Sequence, residues 1–143
     1  MFVGEYAHAL DIKGRLTIPA GYRPQLAAGL VVTRGYEPCL AIYPLAEWSV
    51  LANKVAQMPT ANRAARSYTR LVFGGAFELV PDKMGRILIP GVLRDYAAIG
   101  SEAILVGVNT HIEVWAPERW QQALERDTRE LDVILADVAK MGV

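Results

Sequence analysis

The chain has 143 residues, of which 52% are hydrophobic and 21% charged, with fifteen basic and fifteen acidic side chains and a formal net charge of zero. That length suits one compact domain or two very small ones, and the apolar fraction excludes wholesale disorder, because disordered chains lack the apolar surface that offsets ordering entropy. Apolar runs last only a few residues, far short of the roughly 20 needed to cross a bilayer, so no membrane span is expected. The N-terminal MFVGEYAHAL has neither a basic leader nor a long apolar stretch before a small-residue cleavage site, and the expectation is a cytoplasmic protein.

In chain order, residues 2–10 read as a first strand. A turn follows at Asp11 and Gly14, and then a second strand in which Leu16 and Ile18 alternate with Arg15 and Thr17. Pro19 ends that strand and opens a short helical segment over 20–26. Residues 31–34 and 40–43 form a strand pair joined by a turn, and a helix starts near Leu45. Cys39, the sole cysteine, borders Leu40, Ala41 and Ile42, which predicts a buried structural thiol and excludes an internal disulfide. Met58, Pro59 and Thr60 punctuate a helical connector that resumes over 61–73.

From there the chain repeats itself. Residues 11–26, DIKGRLTIPAGYRPQL, align with residues 82–97, DKMGRILIPGVLRDYA, at a fixed offset of 71, with Asp, Gly, Arg, Ile, Pro and a second Arg identical. Upstream, Phe2, Gly4 and Tyr6 match Phe73, Gly75 and Phe77. Downstream, after one inserted residue, Leu40, Ile42, Tyr43 and Trp48 match Ile112, Val114, Trp115 and Trp120. The second copy therefore has strands at 73–80, 86–89, 103–108 and 111–115, a short helix at 91–97 and a closing helix from Pro117. The units are a first repeat over 1–54, a helical linker over 55–72 and a second repeat over 73–143. A unit of about 50 residues buries too little surface to be comfortably stable alone, so the copies should share one core with pseudo-twofold symmetry.

Each copy sets an Asp, two variable residues, a Gly and an Arg between strands. The Asp carboxylate can cap such a turn, Gly can take the positive φ, and Arg leaves on the following strand. The turns display Lys13 beside Arg15 and Lys83 beside Arg86. A two-stranded hairpin fits the DNA major groove, where arginine meets O6 and N7 of guanine and lysine meets phosphate. Local ion pairs of Arg15 with Asp11 and of Arg86 with Asp82 are the other reading, and spacing alone leaves both open. Arg23 and Arg94 recur as well, where they support the turn or reach a phosphate; the first role is favoured.

Charge is unevenly spread: residues 1–100 hold eleven basic and seven acidic side chains, residues 101–143 four and eight. Arg63, Arg66 and Arg70 lie at helical spacing in a stretch free of acids, a solvated or paired face more readily than a phosphate contact. With so little net charge one chain cannot hold DNA by counterion release alone, so several must act together. A surface for assembly is offered by Trp120, Leu124, Leu131, Ile134, Val138 and Met141, which recur at three- and four-residue steps along one last helix, interrupted by Asp127; for its first half the spacing fits equally an amphipathic helix lying on its own sheet. His8 and His111 lack the neighbours a zinc site needs, and no nucleophile and base pair or phosphate-cradling glycine loop is present, so neither metal, cofactor nor enzymatic activity is expected.

The opening MFVGEYAHALDIKGRLTIP, CLAIYPLAEW over 39–48, RSYTRLVFGGA over 66–76 and DKMGRILIP over 82–90 closely resemble the MraZ family of bacterial transcriptional regulators. The resemblance spans nearly the whole chain and loosens after about Arg126. It implies an α+β fold with two AbrB-like swapped-hairpin repeats in one pseudo-twofold, β-barrel-like domain with flanking helices. It also implies a ring-shaped homo-oligomer that binds double-stranded DNA at short G-rich direct repeats, typically repressing its own division and cell-wall operon at the nucleoid. On this sequence the family's DNA-facing loops fall on 11–15 and 82–86, with Arg15 and Arg86 as base readers and Lys13 and Lys83 as phosphate contacts. Lys13 aligns with Met84 and Lys83 with Ile12, so the cation shifts by one position between copies. The alternative function is a ring-shaped protein-interaction scaffold whose last helix recruits a partner.

Overall fold

The computed structural model describes residues 1–143. Its elements are β1 (Glu5–Ala9), β2 (Arg15–Thr17), α1 (Arg23–Leu26), β3 (Leu30–Arg34), β4 (Leu40–Pro44), α2 (Leu45–Ala56) and α3 (Arg63–Val72). The second half adds β5 (Phe77–Leu79), β6 (Arg86–Leu88), α4 (Gly91–Ala97), β7 (Glu102–Gly107), β8 (Ile112–Trp115), α5 (Pro117–Arg129) and α6 (Leu131–Ala139). Pro19 precedes a single 3-10 turn over Ala20–Tyr22, and Pro90 precedes α4, as the fixed φ of proline favours at a helix start.

Six strands form one sheet in the order β1-β7-β8-β4-β3-β5, and β2 pairs with β6 in a separate ribbon. The two copies exchange strands. β1 of the first pairs antiparallel with β7 of the second, Tyr6 opposite Leu105, and β5 of the second pairs with β3 of the first, Val31 opposite Glu78. Crossing hydrogen bonds repeat the symmetry: Ile18 N donates to Gly85 O at 2.8 Å and Ile89 N to Gly14 O at 3.0 Å.

The shared core follows from this exchange. Its twenty buried residues divide equally between the copies, with Leu16, Ile18 and Leu26 of one meeting Ile87, Ile89 and Leu93 of the other. Such burial stabilises by about 25 cal/mol per Å² of apolar surface removed from water, and neither copy buries these side chains alone. β3 and β4 are buried at four of their five positions rather than alternating, because helices cover the outer face of the sheet. Thr33 is the one fully buried polar residue, and its hydroxyl donates to the Val72 carbonyl at the end of α3. Cys39 is fully buried, and burial pushes its thiol pKa up to about 12.

Three expectations are corrected. The sheet is not closed as a barrel: β1 and β5 stand at its two edges, and each runs directly into the tight turn that feeds the ribbon instead of pairing with the other. The strand expected from Phe73 begins only at Phe77, because α3 runs on and Phe73 N donates to Thr69 O, with the Phe73 ring 4.4 Å from that of Trp48. The single last helix is two, broken at Glu130, whose ψ of 12° leaves the helical range. The apolar seam splits with it. Trp120 packs beside Trp115 and donates to Glu5, whereas Leu131 and Met141 are exposed.

Candidate nucleic-acid interface

Both turns are built alike. Gly14 N donates to Asp11 O at 2.9 Å and Asp11 N to Arg15 O at 3.0 Å, and the matching bonds from Gly85 and Asp82 are both 2.9 Å. Each is a three-residue hairpin loop closed by a glycine in the left-handed region, φ 86° at Gly14 and 76° at Gly85. The Asp carboxylate organises the loop. Oδ1 of Asp11 accepts from the backbone N–H of Lys13 and Arg15, and Oδ1 of Asp82 from Met84 and Arg86. These bonds, the Arg backbone N–H first among them, hold both carboxyls below the ordinary aspartate pKa.

Arg15 Nε donates to Asp11 Oδ2 at 2.5 Å and Arg86 Nε to Asp82 Oδ2 at 2.9 Å. The side chains remain 34% and 25% exposed, and their hydrogen bonds use Nε alone. The ion pair and the reach for an external acceptor are therefore compatible: the carboxylate fixes the stem of each arginine while the Nη edge, the edge that forks onto a base or phosphate, makes no bond within the chain.

The ribbon brings the two arginines together. In its register Arg15 lies opposite Leu88 and Thr17 opposite Arg86, with Leu16 and Ile87 paired between them and buried in the core. Side chains alternate along a strand, so Arg15, Thr17, Arg86 and Leu88 share the outer face and the arginines are diagonal neighbours, about 7–8 Å apart. Lys13 and Lys83 stand exposed at the loop tips, outside every ion pair.

Arg23 and Arg94 serve the turns, but each serves the turn of the other copy. Arg23 Nε donates to Ile18 O at 2.9 Å and Arg94 Nε to Ile89 O at 3.1 Å, which lays each guanidinium along a glycine. A Cβ on Gly85 would sit 2.5 Å from Arg23 Nε, and one on Gly14 2.8 Å from Arg94 Cζ. The recurrence of these arginines signals a shared role, but no sequence spacing reveals the crossing. Arg63, Arg66 and Arg70 lie on α3, away from the ribbon: Arg66 Nη1 donates to Thr60 O at 2.9 Å and closes the loop before that helix.

A family model described as "MraZ protein, putative antitoxin-like" matches the chain twice, over residues 1–71 and 72–137. Among curated relatives, proteins named Transcriptional regulator MraZ from Alkaliphilus oremlandii and Herpetosiphon aurantiacus are 42% and 43% identical over 143 residues, covering all of both chains. That of Roseiflexus sp. is 47% identical over 124 residues, 87% of each chain. With two matched copies, each bearing the same capped turn, and this identity along the full length, the chain belongs to the MraZ family.

Proposed function

We propose that the chain is a sequence-specific DNA-binding transcriptional regulator that works without chemical catalysis or cofactor, its paired cationic turns entering the major groove of double-stranded DNA. One observation carries this reading: Arg15 and Arg86 lie on one outward face of a narrow ribbon, each braced by its own aspartate. A two-stranded ribbon fits a groove about 12 Å wide, and bracing lowers the entropy lost when the guanidinium forks onto guanine. Arg15 and Arg86 are the base readers, and Lys13 and Lys83 the phosphate contacts. The names of the relatives support regulation of transcription.

Affinity comes from number. The chain has no net charge, so one ribbon contributes few phosphate contacts, and a ring-shaped homo-oligomer presents several ribbons to direct repeats on one promoter. The exposed apolar side chains of α6 supply a surface for that assembly. On the family resemblance the sites are short G-rich repeats upstream of the protein's own division and cell-wall operon, which it represses as a cytoplasmic protein at the nucleoid. The strand exchange between copies supports the AbrB-like swapped-hairpin reading of the fold. Residues 1–54 and 73–143 are its two repeats, and 55–72 connects them.

A second reading rests on the same exposed residues of α6: a ring scaffold that recruits a partner protein, with the turn arginines purely structural. The double variant Arg15→Ala, Arg86→Ala separates the two. On the protein's own upstream DNA, in a fluorescence-anisotropy titration at about physiological salt, it should bind at least about tenfold more weakly than the native protein. Full affinity retained by that variant would favour the scaffold.

A further inference from the structure

The loop tips hold two apolar side chains with no structural task. Ile12 is fully exposed at 101% and Met84 is 64% exposed, each on a loop whose backbone is fixed by the Asp and Gly hydrogen bonds and needs nothing from them. Leaving a branched aliphatic side chain wholly in water gains nothing for the fold, and both sit beside the lysine of the turn. Their order is reversed between copies: Ile12 precedes Lys13, whereas Met84 follows Lys83.

We infer that Ile12 and Met84 are specificity-determining residues, each packing on the C5 methyl group of a thymine in the major groove beside the guanine read by its own copy's arginine. The inference rests on the DNA-reading function proposed above and adds to it a second kind of contact. Thymine is the one base that presents an apolar group on the major-groove edge, and that methyl is what an exposed aliphatic side chain on a groove-entering loop can recognise. Because the two turns share one backbone geometry, reversing the order of apolar residue and cation places the methyl contact differently relative to Arg15 than to Arg86. The two halves of the ribbon then read unlike sequences, and a bound element has a direction.

The test replaces each thymine of the protein's own upstream fragment, one at a time, by deoxyuridine, which removes only the methyl group. The native protein should lose about fourfold in affinity at particular positions, the worth of one buried methyl. Ile12→Ala should lose about the same factor on the unmodified fragment and be indifferent to deoxyuridine at one set of positions, and Met84→Ala at a different set. Neither side chain is buried, so the thermal midpoints of both variants should equal that of the native protein. The inference is overturned if no deoxyuridine position weakens the native protein, or if both variants keep the full methyl effect at every position. A native protein with no preference for its own fragment over scrambled DNA would overturn the inference and the DNA-reading function together, which separates that failure from a loss of methyl recognition alone.

Discussion

The glycine of each turn meets two demands at once. At Gly85 the backbone φ is 76°, where an L side chain is strained, and the Arg23 guanidinium occupies the space a Cβ would take. The tight bend at Gly85 is what brings Arg86 back onto the Asp82 carboxylate in this hairpin. Gly85→Ala should therefore destabilise the protein by about 1–3 kcal/mol in urea unfolding, through positive φ plus displacement of Arg23. An unchanged midpoint would contradict both the strained φ at Gly85 and the seating of Arg23 on it. The demand for Gly was legible in the spacing of Asp, Gly and Arg. The close approach was not, because Arg23 and Gly85 lie in different copies and nothing local in the sequence joins them.

Among the elements, the ribbon and the last two helices behave differently. β2 and β6 were legible because Leu16 and Ile18, like Ile87 and Ile89, alternate with neighbours that are less buried, and that period of two fixed which side faces the core. It did not fix the partner: alternation tells a strand which way to face, and pairing β1 with β7 depends on the fold as a whole. The break at Glu130 was hidden because apolar residues continue at helical spacing on both sides of it. Beyond the break α6 buries no residue, and Val133 and Leu135 are 64% and 57% exposed. On the ring assembly proposed above, this exposed apolar surface is where copies of the chain meet. A chain ending at Glu130 should keep its thermal midpoint within a few degrees but form a smaller assembly in size-exclusion chromatography with light scattering. An assembly of unchanged mass would remove α6 from the interface.

At the scale of the whole molecule, duplication explains how two weak features come together in the one proposed site. Each turn alone is a short capped hairpin, and a single hairpin is marginal in water. The crossing hydrogen bonds of Ile18 and Ile89, the exchanged strands and the core drawn equally from both copies join the turns into one ribbon. The repeat at offset 71 made this pairing foreseeable in outline, and the shared core followed from the small size of each unit. Closure of the sheet was not foreseeable, since it depends on whether two edge strands meet. Charge at this scale is a dipole, basic over the first hundred residues and acidic beyond, so the proposed DNA binding has to rest on specific contacts rather than bulk attraction.

The most direct measurement is a titration of the purified protein with its own upstream DNA and with a scrambled fragment across a series of salt concentrations. The two lysine–phosphate contacts proposed for each ribbon predict that log affinity falls linearly with log salt, with a slope of about −2 for each ribbon engaged. Preference for the native fragment should be about a thousandfold or more. Equal binding of both fragments, or affinity that does not change with salt, would contradict the account.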